Sequence, residues 1–513
     1  MNPRVKKFIL LLLAAALLFG SGRVERSLNH DRAALGLTVA EPLQNAPPML
    51  AFTTVALGGF RGLISNFLWI RANDLQQEDK FFEAAQLAGW ITDLEPHFSQ
   101  VWVYQAWNMA FNISVKFKEN SPGDYTDRWR WVRNGISLLR DNGLRYNPDD
   151  ILIHRELAWF FQFKMGANLD DANLYYKKEW AREMTPFFGP LGTNVVDLLA
   201  PGNTNAAILR ERYKLDPAII EKVNEQYGPL DWRLPEPHAL YWATIGLDQA
   251  QRHPDKVKAD DLITLRRVVY QSMQQEFQHG RMISNPYIQD IEVAPNLDIV
   301  SKVNDAYVKI MLEDTQYSNS IARAGYKNFL SDAVYFLYAN NRQDEARKWF
   351  KYLGERYPDR ALLNDPNSFQ KNLTLEDYVF GRLNEDMGET SLVRVTSAIE
   401  GMLAQAYLDL SIGEDERSAG YQLLAQKAYK RYQDKMGIEQ PRVTLPSMDD
   451  LKKDVLRTLL DPSPQNQIPY AARAVVRSRL GLGPETTNNV PFAIPTNTVA
   501  PVTTPNPATK TNR

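Results

Sequence analysis

The chain has 513 residues, 44 % apolar and 23 % charged, with no cysteine, six histidines and a formal net charge of −2. That mix excludes disorder for the bulk of the chain, and the missing thiols exclude disulfide scaffolds, thiolate metal sites and cysteine nucleophiles. A near-neutral balance offers no basic stripe to a nucleic acid, so no nucleic-acid partner is expected.

The first element is an address. Arg4, Lys6 and Lys7 precede an unbroken apolar run over 8–19, followed by Gly20-Ser21-Gly22. A basic region, a short apolar run and small residues form the pattern of an export signal. The run is short for a spanning helix, which wants about 20 residues. Cleavage after Gly22 and retention as an anchor both fit, and the weak Gly20/Gly22 site favours retention. Residues 1–27 are therefore read as signal or anchor, meeting the cytoplasmic membrane through 8–22 with the body on its extracytoplasmic side. No cysteine follows the run, so lipoprotein attachment is excluded. Residues 28–64 form a linker with a second apolar stretch over 49–60. Gly58-Gly59 and Arg61 interrupt that stretch, and a charge at mid-bilayer costs about 2.5–3.5 kcal/mol. It reads as a buried or membrane-adjacent lead into the folded body.

From about 60 to 480 the periodicity is helical, in pieces of 12–20 residues separated by Pro, Asp, Asn and Gly. Helical stretches over 83–94, 129–146 and 344–357 are stopped by Pro96, Pro148 and Pro358. With Pro96 closing one unit, Leu68, Ala72, Leu75, Ala84 and Leu94 fall at recurring large and small positions. The next unit carries Trp102 and Ala106, an insertion, then Gly143 and Tyr146. A third carries Leu157, Ala158, Phe161, Ala172 and Tyr176. A late unit closed by Pro358 carries Leu330, Ala333, Leu337, Ala346 and Phe350. This spacing resembles the tetratricopeptide repeat, a 34-residue pair of antiparallel helices whose small positions admit close approach and whose final Pro ends the second helix. The resemblance implies an all-α, right-handed α-solenoid, with one array over 65–184 and a second over 236–482.

Between them, residues 185–235 are punctuated by Pro186, Gly189, Pro190, Gly192, Pro201 and Gly202, and read as an irregular insertion. In the final segment, 483–513, Thr, Asn and Pro dominate; such a tail cannot bury enough apolar surface to order itself.

Catalytic signatures are absent: no H-E-x-x-H, no G-x-x-x-x-G-K-[ST], no G-x-S-x-G and no EF-hand loop. Gly189-Pro190-Leu191-Gly192-Thr193 is Gly-rich but lacks the phosphate-reaching Lys. The Glu-Ser pair typical of lytic transglycosylases does not occur. Asp93/Glu95 and Asp149/Asp150 sit at helix ends, where capping explains them. His30, His97, His154, His238, His253 and His279 show no metal-ligand spacing. No cofactor and no metal are expected.

Ten of the eleven tryptophans lie between Trp69 and Trp242. In the repeat family the first helix of each unit lines a concave groove. The resemblance carries that role to Trp69 and Asn73 in the first unit and to Val103, Trp107 and Phe111 in the second. In the third it falls on Arg155, Trp159 and Phe163, and in the late unit on Ser331, Tyr335 and Tyr338. Rigid aromatics with occasional Asn and Arg suit a peptide-binding groove, though the same rings could fill a core. The reading is a non-catalytic assembly scaffold that binds a protein or peptide outside the cytoplasmic membrane. The alternatives are an exported enzyme with its site near 185–325, where Asp231, Glu236 and His238 are candidates, or an envelope glycan or lipid binder.

Overall fold

Helix α1 (Phe60–Gln77) and helix α2 (Phe81–Leu94) form the first antiparallel pair, joined by Asp79 in the left-handed region. Ala72, Ala84, Ala88 and Ile91 are fully buried, so the two backbones meet through small side chains. Next come α3 (Ser99–Trp107), α4 (Thr126–Ser137), α5 (Ile151–Trp159) and α6 (Asn173–Phe188). Helices α3, α4 and α5 each run on into a π-helical segment, Asn108–Ile113, Leu138–Gly143 and Phe160–Gly166 respectively. A Cβ at Gly135 of α4 would stand 2.8 Å from the Ala106 carbonyl oxygen and 3.3 Å from Ala110 Cβ, so the approach of α4 to α3 requires glycine there. Asp150 caps α5, accepting from the Ile153 amide at 3.1 Å.

Residues 60–484 are described in this computed structural model, apart from 286, 288–290, 314–318, 388–391, 440–444, 464, 465 and 467, together with scattered positions between 13 and 30. The basic residues 4–7, part of the 8–22 run, most of 28–64 and all of 485–513 lie outside the described residues. No described helix is long and apolar enough to cross a membrane.

The described chain is all-α in class, with a single small two-stranded sheet among its described residues, β1 (Arg281–Ser284) with β2 (Ile291–Ala294). It divides into two units, one comprising residues up to Met282 with Ser301–Thr315, the other Ile283–Val300 and everything from Gln316 onward. The first unit continues through α7 (Thr204–Ile208, extended by a π segment, Leu209–Tyr213), α8 (Pro217–Tyr227), α9 (Pro235–Arg252), α10 (Ala259–His279) and α11 (Val300–Glu313). The second holds α12 (Asn319–Ala339), α13 (Gln343–Arg356), α14 (Leu375–Met387), α15 (Leu392–Ile412), α16 (Asp415–Glu439), α17 (Met448–Leu459) and α18 (Tyr470–Arg479). Pairs α9/α10, α12/α13 and α15/α16 pack as neighbours in sequence.

Most of the recurring positions are buried, while Leu68, Leu94 and Tyr146 are half-buried. Ala72, Ala84, Ala106, Leu157, Ala158, Ala172, Tyr176, Leu330, Ala333, Leu337 and Ala346 expose nothing, and Leu75, Trp102, Phe161 and Phe350 are buried beside them.

The 185–235 segment is tied into the first unit by a buried ion pair. Arg233 donates through Nε to Asp231 Oδ1 at 2.7 Å and through Nη2 to Oδ2 at 2.5 Å. The same guanidinium donates to the carbonyls of Pro190 and Met282, while the Met282 amide donates to Asp231 Oδ2 at 3.0 Å. The Trp232 amide donates to the Gly192 carbonyl at 2.9 Å. Gly192 adopts φ +74°, and a Cβ there would overlap Asp231 Oδ1. The glycine-rich loop thus wraps a guanidinium each of whose nitrogens has an acceptor, with Trp232 stacked on Phe188 at 5.7 Å.

Candidate functional site

Two helices build an aromatic ladder. Trp107 ends the α-helical part of α3, and Phe111 lies four residues on in the π segment. Their rings stack at 4.4 Å between centroids, 22° apart in plane. Trp159 ends α5, and Phe163 lies four residues on in the next π segment, stacked at 4.7 Å and 9°. Hydrogen bonds from i to i+5 in a π turn bring residue i+4 more nearly over residue i, which suits stacking within each pair. The pairs then meet: Trp107 and Trp159 are 5.9 Å apart and 7° from parallel, and Phe111 stacks on Trp159 at 5.1 Å. Trp107 is 37 % exposed, while Phe111, Trp159 and Phe163 are half-buried.

Buried groups back the ladder. Phe160 meets Phe111 edge-on at 5.4 Å. Lys164 Nζ lies 5.0 Å from the Phe111 centroid and 5.8 Å from that of Tyr176, and pairs with Asp170 at 2.5 Å. Burial pulls the Lys164 ammonium below its ordinary pKa, and the Asp170 carboxylate opposes that shift. Asp170 also receives Arg128 at 3.3 Å and the Ala172 amide at 2.9 Å. The charges behind the ladder are therefore paired among themselves, and the rings present an apolar face.

The other residues assigned to the groove from sequence lie elsewhere. Trp69 packs against Tyr104 at 4.9 Å and Phe98 at 6.2 Å, beside the Ala88, Ile91 and Val101 cluster. Asn73 is half-buried on α1, and Val103 is half-buried on α3. Arg155 is held by Glu156 and Asp261. Ser331, Tyr335 and Tyr338 belong to the second unit; Ser331 and Tyr338 are buried, the latter 2 % exposed with Lys427 Nζ 5.3 Å from its ring, and Tyr335 meets Phe336 edge-on. Of the ten early tryptophans, Trp102, Trp129, Trp180, Trp232 and Trp242 are buried, Trp69, Trp131 and Trp159 are half-buried, and Trp90 and Trp107 are exposed. Sequence reasoning missed Phe160 and Lys164. The W-x-x-x-F spacing that Trp107–Phe111 and Trp159–Phe163 share marks the ladder residues themselves and points to neither Phe160 nor Lys164.

Asp231, Glu236 and His238, the residues of the enzyme alternative, lie in the interior. Glu236 and His238 are fully enclosed, with Lys177 Nζ 3.6 Å from Glu236 Oε1. Burial raises the Glu236 carboxyl above its ordinary pKa, against the pull of Lys177. Burial depresses His238 to about 4, although Nε2 lies 3.0 Å from the Trp232 carbonyl. Phe161, Trp180 and Trp232 surround the imidazole at 5.0–5.6 Å. Among the described residues no group of His, Asp or Glu is arranged to hold a metal ion. The chain matches no known protein family and no curated protein.

Proposed function

We propose that this chain is a non-catalytic interaction protein. It is a tetratricopeptide-like, right-handed α-solenoid that holds a protein or peptide segment along the Trp107–Phe111–Trp159–Phe163 ladder. It works outside a cytoplasmic membrane, tethered through residues 8–22. The observation that carries the reading is the ladder itself: four rings from two helices, stacked Phe111 on Trp107, Trp107 on Trp159 and Trp159 on Phe163, with Trp107 at its exposed end. Rigid aromatics bury large area at little entropic cost, and such residues dominate binding energy at interfaces. Burial of small residues at the recurring helix positions supports the repeat part of the reading.

The test is affinity capture of the full chain from solubilised membranes, with the partner identified by cross-linking. Trp107→Ala and Trp159→Ala should each lose the partner by about tenfold or more, as hot-spot truncations of ~2 kcal/mol do, while keeping the helical spectrum. Retention of the partner by both variants, with the spectrum intact, would remove the ladder from the interface.

A further inference from the structure

A second site lies on other helices. A cleft of about 730 Å³ opens between α4, α6 and the π extension of α7. That is the size of a small-molecule pocket. Its charged lining consists of Arg133, Arg140, Arg212 and Lys214 against Asp141, Glu183 and Glu211, an excess of one positive charge.

The charges are not equally engaged. Arg133 pairs with Glu183 at 3.1 Å, and Tyr213 donates its hydroxyl to the same carboxylate at 3.2 Å. Arg140 grips Asp141 through Nε and Nη2 at 2.7 and 2.8 Å. Arg212 and Lys214 have no carboxylate partner among the described residues. Arg212 lies 5.3 Å from the Tyr213 ring, and the Lys214 ammonium donates to the Glu211 carbonyl. Trp180, 3 % exposed, also lines the cleft. Ile208, 41 % exposed, adds an apolar surface.

The geometry points to a binding site for a monoanionic carboxylate with an apolar body, its carboxylate held by Arg212 and Lys214 and its apolar body against Ile208. The charge count selects the class. One excess positive charge matches a single carboxylate, whereas a phosphate dianion would face Asp141, Glu183 and Glu211 with its second charge uncompensated. The site is independent of the ladder, because α3 and α5 carry the ladder and none of its rings lines the cleft.

The carboxylate could belong to a free acid or to the C-terminus of a peptide. Titration calorimetry on the full chain separates the two. N-acetylphenylalanine is compared with its carboxamide, and an acetylated hexapeptide ending in a free phenylalanine with its amide. The acid forms should bind about tenfold or more tighter than the amides, the loss expected for hydrogen bonds to a charged group. Tighter binding of the hexapeptide acid than of N-acetylphenylalanine would identify a chain terminus; equal binding would identify a free acid. Arg212→Gln with Lys214→Gln, both exposed, should abolish the acid–amide difference with the helical spectrum unchanged. Equal binding of acids and amides, no binding by any of them, or an unaltered preference in the double variant would each overturn the assignment.

Discussion

The indole of Trp159 lies 5.9 Å from that of Trp107 and only 7° from parallel, although 52 positions of sequence separate them. Each ends the α-helical part of its helix just before a π segment, and each stacks on a Phe four residues later. The ladder is therefore a tertiary object made from two copies of one local device.

Stacking of this kind should be measurable as coupling. A double-mutant cycle with Trp107→Ala and Trp159→Ala, read by chemical denaturation, should give an interaction energy of about 0.5–1.5 kcal/mol. Trp159→Ala alone should cost more than Trp107→Ala, since Trp159 stacks on Trp107, Phe111 and Phe163 while Trp107 is more exposed. Strict additivity would mean that the two rings merely lie side by side.

Gly192→Ala should be among the most damaging single-methyl substitutions in the first unit. The residue sits at φ +74°, and the new Cβ would overlap the carboxylate that holds Arg233. We expect a loss of about 2–4 kcal/mol, from backbone strain and a displaced ion pair together. Thermal unfolding followed by tryptophan fluorescence would show a clear fall in Tm; an unchanged Tm would contradict the packing described for this loop.

Asp231→Asn should destabilise by about 3–5 kcal/mol, because it strands a buried guanidinium. The double variant Asp231→Leu with Arg233→Met should recover part of that loss by removing both charges. Recovery should be incomplete, since the Met282 amide loses its acceptor at Asp231 Oδ2. Denaturation midpoints of the three proteins order these expectations directly.

Acid should weaken the first unit through His238. Burial lowers its folded pKa to about 4 from an ordinary value of 6.5. Above 6.5 the imidazole is neutral folded or unfolded. Between 6.5 and 4 only the unfolded chain takes the proton, so stability is lost as pH falls through that window, by on the order of 3 kcal/mol at most. Ten of the eleven tryptophans lie in the first unit, so fluorescence-detected Tm between pH 7 and 4.5 reports on it. The His238→Gln variant, which retains a donor for the Trp232 carbonyl, should show a shallower decline over the same range. A parallel decline in both proteins would assign the acid sensitivity to other groups.

Much of the helical architecture was legible in the chain itself. Apolar residues recur at helical spacing, Pro96, Pro148 and Pro358 follow the helices they end, and Asp150 stands where an N-cap should. The recurring small positions also read through to burial at Ala72, Ala84, Ala158, Ala333 and Ala346. The site was legible only in part. A repeat register could put Trp107, Phe111, Trp159 and Phe163 on first helices, but it put Tyr338 among them on the same grounds, and that ring lies in the interior of the second unit.

What the sequence by itself determined is local: where helices begin and stop, which faces are apolar, and that thiol chemistry is excluded by the absence of cysteine. These follow from backbone sterics and side-chain type, which act over a few residues. Only the tertiary structure decided which aromatic rings are core and which form a ladder, that Asp231 and Arg233 close on the 189–192 loop, and that Arg212, Lys214 and Trp180 line one cleft. Those outcomes depend on distances between helices remote in sequence, set by close approaches such as Gly135 on Ala106 and by π turns that re-aim a side chain.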